Sequence, residues 1–129
     1  MYRYSSLSAI LFATILSSTN GIASDLSMFG KVVFDRKCSG CHEVGPGATN
    51  GIGPSLNDLF GRKAGTAPNF KFYSNANLKA DFIWADVSFK KFIRDPKSMI
   101  AATKQLFNGL KDQKEIDGVA EYLKEFSRP

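Results

Sequence analysis

The chain has 129 residues, of which 43% are hydrophobic and 12% aromatic. This length suits one domain around a single core, and the composition excludes an intrinsically disordered chain. The formal net charge is +5, but the lysines are spread along the chain without the dense arginine runs of nucleic-acid-binding proteins. We therefore expect one mildly basic domain that does not bind nucleic acid.

The first residues differ in composition from the rest of the chain. Arg3 is the only charged residue before Asp25, and an apolar stretch is followed by a run of small residues. This order predicts a secretory signal peptide over residues 1–23 and a mature domain over residues 24–129. A retained membrane anchor is disfavoured because the apolar stretch is about half as long as a bilayer-spanning helix. We expect a periplasmic protein with no membrane span after signal removal and a charge of +4 once Arg3 is lost.

Apolar residues at helical spacing predict the first element of the domain. Ser27 is the predicted N-cap, because its hydroxyl can accept a hydrogen bond from a free backbone N–H of the first turn. The residues of the predicted apolar face are Met28, Gly30, Val33 and Phe34. We therefore predict a short amphipathic helix that runs up to Cys38.

The segment Cys38-Ser39-Gly40-Cys41-His42 contains the only two cysteines and the only histidine of the chain. Two thiols three residues apart on a helical turn lie on one side, so each can add to one vinyl group of a haem. The histidine that follows can reach the iron, and C-x-x-C-H is the attachment signature of c-type haem. The sequence thus predicts one covalent haem c at Cys38 and Cys41, with His42 as an iron ligand.

Three other interpretations of this motif are less well supported by the sequence. A disulfide across so short a loop removes little chain entropy from the unfolded state. A thioredoxin-like pair requires a strand before it and a helix after it, whereas this motif ends a helical pattern and leads into a glycine-rich loop. A zinc site needs four ligands, and this segment offers three.

The middle of the chain is predicted to be mostly loop. Residues 45–53 contain four glycines and a proline, which indicates a loop. Ser55 is the predicted cap of a short helical turn that runs to Phe60. Residues 66–80 show no sustained period, and we expect them to form a loop that wraps the haem.

Three helices are predicted in the second half. The first begins at Asp86 and ends before Pro96, the second is short and runs from Pro96 towards Ala102, and the third covers Asp112 to Phe126. The third has the clearest apolar stripe, formed by Ile116, Val119, Ala120, Leu123 and Phe126. Strand signals are lacking, so the predicted fold class is all-α.

Short motifs follow one another in a characteristic order along the chain. They are Gly30 and Phe34, Cys38 to His42, Gly53-Pro54-Ser55-Leu56, Gly61-Arg62-Lys63-Ala64-Gly65-Thr66, Tyr73 to Asn77, Trp84, Asp95-Pro96-Lys97, Thr103-Lys104, Phe107-x-Gly109 and Tyr122-Leu123-Lys124. From Met28 to Phe126 the chain resembles the class I cytochrome c family. The resemblance implies crossed N- and C-terminal helices, with the Gly30 and Phe34 face against Val119 and Tyr122, and loops that wrap the haem.

The resemblance also implies roles for residues around the haem. The carbonyl of Pro54 is expected to accept the ring N–H of His42 and so fix the imidazole. Arg62, Tyr73 and Trp84 resemble partners of a buried haem propionate, although Trp84 also suits plain core packing. Two further positions lie near the far side of the haem in the family: Asn77 and Thr103.

The chain departs from the family at the sixth iron ligand. Where the family has Gly-Thr-Lys-Met, this chain has Ala102-Thr103-Lys104-Gln105, and Phe92 replaces the tyrosine that supports the methionine. We expect the side-chain oxygen of Gln105 to bind the iron. An oxygen donor is harder than a thioether and favours ferric iron, so the reduction potential should fall.

Other ligands at the sixth position stay open at this point. Met99 could bind after a shift of the loop, although it fits better as a core residue. Lys104 could bind if deprotonated, Met28 is expected to lie on the wrong side, and the site could also be open or water-bound. Two histidine ligands are excluded, because His42 is the only histidine.

A single-electron carrier between redox proteins is the expected function. No constellation of acid, base and nucleophile suggests an enzyme. The lysines suit either a solvated surface or a basic face around the haem edge that docks an acidic redox partner, and we expect a monomer. The alternative is a small-ligand sensor or peroxidase-like protein with a labile Gln105 position, which rapid carbon monoxide binding would favour.

Overall fold

The computed structural model describes residues 20–128, and this part of the chain is helical. Its elements are α1 (Asn20–Lys37), α2 (Asn75–Leu78), α3 (Asp86–Arg94), α4 (Pro96–Met99) and α5 (Gln113–Lys124). Within residues 20–128 there is no strand, only an isolated antiparallel bridge between Lys63 and Ile83. The all-α prediction is confirmed.

Helix α1 begins earlier than predicted, at Asn20, and the prediction that Ser27 is its N-cap is wrong. Ser27 is buried in the middle of the helix, and its hydroxyl donates to the carboxylate of Glu125 just beyond α5. No proline stands between Asn20 and Ser27, and the helix includes these residues even though Gly21 is a weak helix former. The predicted signal peptide lies outside the described residues up to position 19, and residues 20–23 belong to α1.

Helices α1 and α5 cross with their backbones in contact. A Cβ at Gly30 would lie 1.8 Å from the carbonyl oxygen of Gly118, so neither helix leaves room for a side chain there. The rings of Phe34 and Tyr122 pack beside this crossing with their centroids 5.6 Å apart. The predicted crossing is confirmed, and Gly118 is the facing residue that the sequence analysis did not single out.

The three predicted C-terminal helices are present, and capping residues fix where two of them begin. The side chain of Asp95 accepts a hydrogen bond from the Ser98 N–H, and Pro96 occupies the first turn of α4. The side chain of Asp112 accepts from the Glu115 N–H and begins α5. Helix α4 stops at Met99, before the predicted Ala102, and α5 stops at Lys124, two residues before the predicted end.

The middle of the chain differs from the prediction at two places. The helical turn expected after Ser55 does not form, because the Leu56 N–H donates to the Glu43 carbonyl and Asp58 adopts a left-handed φ of 54°. Residues 66–80 are not all loop: the Ser74 hydroxyl accepts from the Asn77 N–H and caps the four-residue helix α2.

The buried core lies mainly between α1, α3 and α5. Its largest fully buried residues include Ile116, Val119 and Leu123 of α5. Phe89 of α3 and Leu59, from the segment between α1 and α2, belong to the same core and also line the cavity that holds the predicted site residues. The apolar stripe of α5 therefore forms the base on which the site is built.

Candidate cofactor site

A cavity of about 460 Å³ opens beside the end of α1, within the usual size range of cofactor sites. Its lining includes Phe89 of α3, Leu123 of α5 and several loop aromatics. The structure brings all ten predicted site residues to this cavity: Cys38, Cys41, His42, Pro54, Arg62, Tyr73, Asn77, Trp84, Thr103 and Gln105. Positions spread over most of the domain thus meet at one place.

The cysteine motif continues the last turn of α1. The Cys38 N–H donates to the Phe34 carbonyl at 2.8 Å, and the N–H groups of Cys41 and His42 both donate to the Cys38 carbonyl at 3.0 Å. This tight turn brings both cysteines and the imidazole to the cavity wall, and no disulfide joins the two cysteines. Burial raises the pKa of the Cys38 thiol to about 11, opposite to the lowered pKa of redox-active cysteines.

The imidazole of His42 is fixed by one hydrogen bond. Its Nδ1–H donates to the Pro54 carbonyl at 2.8 Å, and since a carbonyl only accepts, Nε2 carries the free lone pair. Burial lowers the pKa of His42, and the hydrogen bond to Pro54 opposes this only in part, so the ring is neutral at pH 7. A neutral imidazole with a fixed tautomer is suited to binding a metal ion.

Gly53 is a contact of His42 that the sequence analysis named only as part of a motif. A Cβ at position 53 would lie 2.3 Å from Cε1 of the His42 ring. Only glycine lets the backbone pass this close to the imidazole face. The short Gly53-Pro54 segment therefore both packs against the ring and accepts its hydrogen bond.

Arg62 brings a positive charge to the cavity. Its Nη1 donates to the Asn57 carbonyl at 3.1 Å, while its buried Nε has no hydrogen-bond partner among residues 20–128. Burial lowers the pKa of Arg62, and a buried guanidinium with an unpaired N–H is costly unless an anion accepts from it. This orphaned donor fits a carboxylate of a bound cofactor.

Tyr73 and Trp84 stand with Arg62 along the cavity wall. The Tyr73 hydroxyl oxygen accepts the Ala67 N–H at 3.1 Å, which leaves the hydroxyl proton free to be donated. Trp84 packs edge-on against Phe82 and Phe92, with ring centroids 4.8 and 5.1 Å apart. Trp84 therefore has the core-packing role that the sequence analysis named as an alternative, together with a place in the cavity lining.

The segment from Thr103 to Phe107 lines another side of the cavity and has no regular secondary structure. Thr103, Gln105 and Phe107 are partly buried, and the residues between them are exposed. The Gln105 N–H donates to the Thr103 hydroxyl at 3.2 Å, and Leu106 is 97% exposed at the rim. Of the other ligand candidates, Lys104 lines the cavity, whereas Met28 and Met99 are not among its described lining residues.

Asn77 belongs to helix α2 and is held by its cap. Its side-chain oxygen accepts a hydrogen bond from the Ser74 hydroxyl at 2.7 Å, which leaves the amide NH₂ as donor. Gly65 packs against this helix, since a Cβ at Gly65 would lie 2.5 Å from the Asn77 carbonyl oxygen. Asn77 and Gly65 both line the cavity at this contact.

A family model described as Cytochrome c matches residues 27–127, most of the chain. The chain belongs to the cytochrome c family. Cytochrome c2 from Blastochloris viridis is 41% identical over 117 residues, which cover 91% of this chain and 90% of that protein. Cytochrome c-550 from Bradyrhizobium diazoefficiens is 43% identical over 99 residues, 77% of this chain and 71% of that protein.

A solved structure gives the same family. This chain matches cytochrome c2 from Rhodospirillum centenum with a TM-score of 0.73 and 34% identity, over 79% of this chain and 98% of that one. Membership of the family makes this cytochrome c a single-electron carrier with one covalently attached haem c, which acts with redox partner proteins. The comparisons do not favour the sensor or peroxidase-like alternative.

The cavity of this cytochrome c fits a haem in three respects. Two thiols and a neutral imidazole share one turn, the orphaned Nε of Arg62 offers a hydrogen bond to a carboxylate, and the lining is largely aromatic and aliphatic. Further lining residues were not identified from the sequence: Ile52, Phe70, Phe72, Leu106 and Leu110. Two of them, Phe70 and Phe72, fall in the segment 66–80 that was predicted to wrap the haem, although neither residue was singled out.

Proposed function

We propose that this cytochrome c binds haem through thioethers at Cys38 and Cys41 and holds its iron with Nε2 of His42. The proposal rests on one hydrogen bond, in which the Nδ1–H of His42 donates to the Pro54 carbonyl and so fixes the tautomer of the ring. His42 lies in the same turn as both thiols. When bound, the haem supplies one-electron chemistry by alternating between ferric and ferrous iron. The chain supplies the ligand, the dry pocket and the hydrogen bonds around it.

Arg62, Tyr73 and Trp84 are proposed to hold a haem propionate. Support comes from the orphaned Arg62 Nε and the free hydroxyl proton of Tyr73, both at the cavity wall. A buried carboxylate requires such donors, because an unpaired charge in a low-dielectric site is costly. Asn77 and Thr103 are proposed to contact the haem from α2 and from the covering segment.

Gln105 is proposed as the sixth iron ligand. Support comes from its partly buried place in the cavity lining, between the exposed Lys104 and Leu106. The two methionines of the described chain that could replace it, Met28 and Met99, do not line the cavity there. Because an amide oxygen stabilises ferric iron more than a thioether does, we expect a lower reduction potential than in a methionine-ligated counterpart.

Optical spectra of the purified holoprotein test the ligand set. The wild type should show a low-spin ferric spectrum without the methionine-to-iron charge-transfer band, and Gln105→Met should gain that band. A band already present in the wild type and lost in the control variant Met99→Leu would assign the ligand to Met99. A high-spin ferric spectrum with rapid carbon monoxide binding to the ferrous form would instead indicate an open site.

The mouth of the cavity is proposed to dock an acidic redox protein. Ile52, Phe72 and Leu106 line the cavity and are 79%, 73% and 97% exposed, which makes an apolar rim. Lys71 and Lys104 adjoin this rim in sequence, and neither forms an ion pair within residues 20–128, whereas Lys31 pairs with Asp35. An apolar centre beside unpaired positive charge suits a transient complex with an acidic partner.

Residues 1–23 are proposed to be a cleaved signal peptide that directs a monomeric domain, 24–129, to the periplasm. Support comes from the composition of the first residues. No helix of residues 20–128 is both long and apolar enough to cross a bilayer. The intact mass and N-terminal sequence of the protein recovered from a periplasmic fraction test this, with residue 24 expected at the N-terminus. An N-terminus that retains residues 1–23 would indicate an anchor.

A further inference from the structure

The loop that follows His42 is closed by the side chain of Asn57. The Asn57 Oδ1 accepts the Gly45 N–H at 2.8 Å, and its Nδ2 donates to the Gly45 carbonyl, also at 2.8 Å. Both bonds are part-buried, and they satisfy both backbone groups of a residue whose φ is 104°. The side-chain amide of Asn57 therefore fixes the turn at Gly45 through two hydrogen bonds.

This two-point contact fixes the segment that carries Pro54. The chain leaves His42, turns at Gly45 and returns to Asn57, and Pro54 lies on the returning side. The Leu56 N–H next to Asn57 donates to the Glu43 carbonyl at 2.9 Å, so the two sides of the loop are paired just below Pro54. Because Asn57 adjoins this pair, its side chain limits how far the Pro54 carbonyl can move from the His42 ring.

Asn57 also contacts Arg62, which is a proposed partner of a haem propionate. Its backbone carbonyl accepts from Nη1 of Arg62 at 3.1 Å, the one hydrogen bond that the Arg62 side chain makes within residues 20–128. The position of that carbonyl depends on the same two bonds to Gly45. Asn57 thus connects the loop that follows His42 with the guanidinium of Arg62 at the cavity wall.

We propose that Asn57 is a positioning residue of the haem site, which sets the His42–Pro54 hydrogen bond through its side chain and the direction of Arg62 through its carbonyl. Asn57 itself does not line the cavity among the described residues, so it acts through these neighbours. The role rests on the haem attachment proposed above. It adds to that proposal a residue outside the cavity on which the geometry of the iron ligand depends.

The test measures the ring N–H of His42 in the ferrous holoprotein by NMR. In Asn57→Ala, which loses both hydrogen bonds to Gly45, the solvent exchange of this proton should become at least roughly tenfold faster, since one lost hydrogen bond corresponds to about tenfold. Asn57→Asp is a second variant of the same shape, which keeps the bond from the Gly45 N–H and loses the donation to the Gly45 carbonyl. The His42 ring N–H should also exchange faster in this variant, and the NMR signals of the Arg62 side chain should shift in both variants.

Thr49→Val is the matched control. Thr49 lies in the same loop, and its hydroxyl donates to the exposed Glu43 carboxylate at 3.0 Å and to neither Pro54 nor Arg62. Wild-type exchange in both Asn57 variants, even with a lower melting temperature, would mean that Asn57 is only structural and would overturn the proposal. Absence of covalent haem from the wild type, seen by mass spectrometry, would instead overturn the attachment itself.

Discussion

At the scale of single residues, Gly53 is a position where the site leaves no room for a side chain. Its backbone lies against the His42 ring, and a Cβ would come within 2.3 Å of that ring. We expect Gly53→Ala to destabilise the holoprotein by about 1–3 kcal/mol, since overpacking must displace the ring or the loop. Thermal unfolding measures this, and the visible spectrum should report altered iron ligation.

Gly51 provides the control for that substitution. A Cβ at Gly51 would lie 3.6 Å from the Cys41 carbonyl oxygen, an ordinary contact distance, and Gly51 belongs to the same loop. Gly51→Ala should therefore stay within about 0.5 kcal/mol of the wild type. If the two variants unfold at the same temperature, the packing of Gly53 on the imidazole has no energetic importance.

The residues of the site were predictable to different degrees, and the reason is physical. The proposed attachment residues Cys38, Cys41 and His42 were predicted from their spacing within one turn, which can be read directly from the sequence. Asn57 and Gly53 act through contacts that exist only after the loop has folded back on itself. Local sequence carries no signal for such contacts, so their roles came from the structure.

At the scale of elements, the crossing of α1 and α5 depends on Gly30. Its Cβ position overlaps the Gly118 carbonyl, so Gly30→Ala must push the two helices apart. We expect a loss of roughly 3 kcal/mol, because backbone cannot yield as a flexible side chain can. Met28 was predicted on the apolar face of α1 but is 68% exposed, so Met28→Ala should cost less than about 0.5 kcal/mol. Equal unfolding midpoints in denaturant would contradict the close crossing.

The contact between α3 and α5 should depend on pH. Asp86 pairs with Lys90 and with Lys124 of α5 at 2.9 and 2.8 Å. Burial alone would raise the pKa of Asp86, but the hydrogen bonds and charges of Lys124 and Lys90 outweigh it and lower that pKa below its ordinary 3.8. Since the folded pKa is the lower one, this stabilisation is complete above about pH 4 and is lost as the pH falls through the folded pKa.

Asp86→Asn tests that dependence. At pH 7 the variant should be less stable by about 0.5–1 kcal/mol, a modest amount because the pair is partly exposed. The difference from the wild type should shrink as the pH falls below 3.8 and disappear once the pH is below the folded pKa of Asp86, where the wild-type carboxyl is protonated. At pH 7, Asp81→Asn, which breaks the more exposed pair with Lys63, should change stability less than Asp86→Asn does. A pH-independent difference for Asp86→Asn would exclude the ion pairs as its cause.

Element prediction succeeded where a helix has a long apolar stripe and failed where tertiary contacts set a boundary. The stripe of α5 identified that helix to within two residues at its C-terminal end. Ser27 has the composition of a cap, yet its hydroxyl is used by Glu125 across the helix crossing. Ser74 does cap a helix, but α2 is only four residues long, too short to show a period.

At the scale of the whole molecule, the positive charge near the cavity mouth should control the rate of association with a redox partner. Lys71→Ala and Lys104→Ala should each slow electron exchange with an acidic redox protein at low ionic strength, and added salt should reduce the difference. Lys31→Ala removes the same charge from α1, where Lys31 is paired with Asp35, and should have a smaller effect. Stopped-flow rates at several salt concentrations measure this. Equal effects of all three variants would exclude a localised docking face.

The crossing of α1 and α5 also bears on how the protein folds. It is the most extensive contact between helices in the described chain, and the Ser27–Glu125 hydrogen bond across it joins residues 98 positions apart. The main core contact therefore forms only after a loop of nearly the whole domain has closed, which costs chain entropy before any contact is gained. A circular permutant that links the two ends by a short flexible segment would make this contact local, and it should refold faster than the natural order.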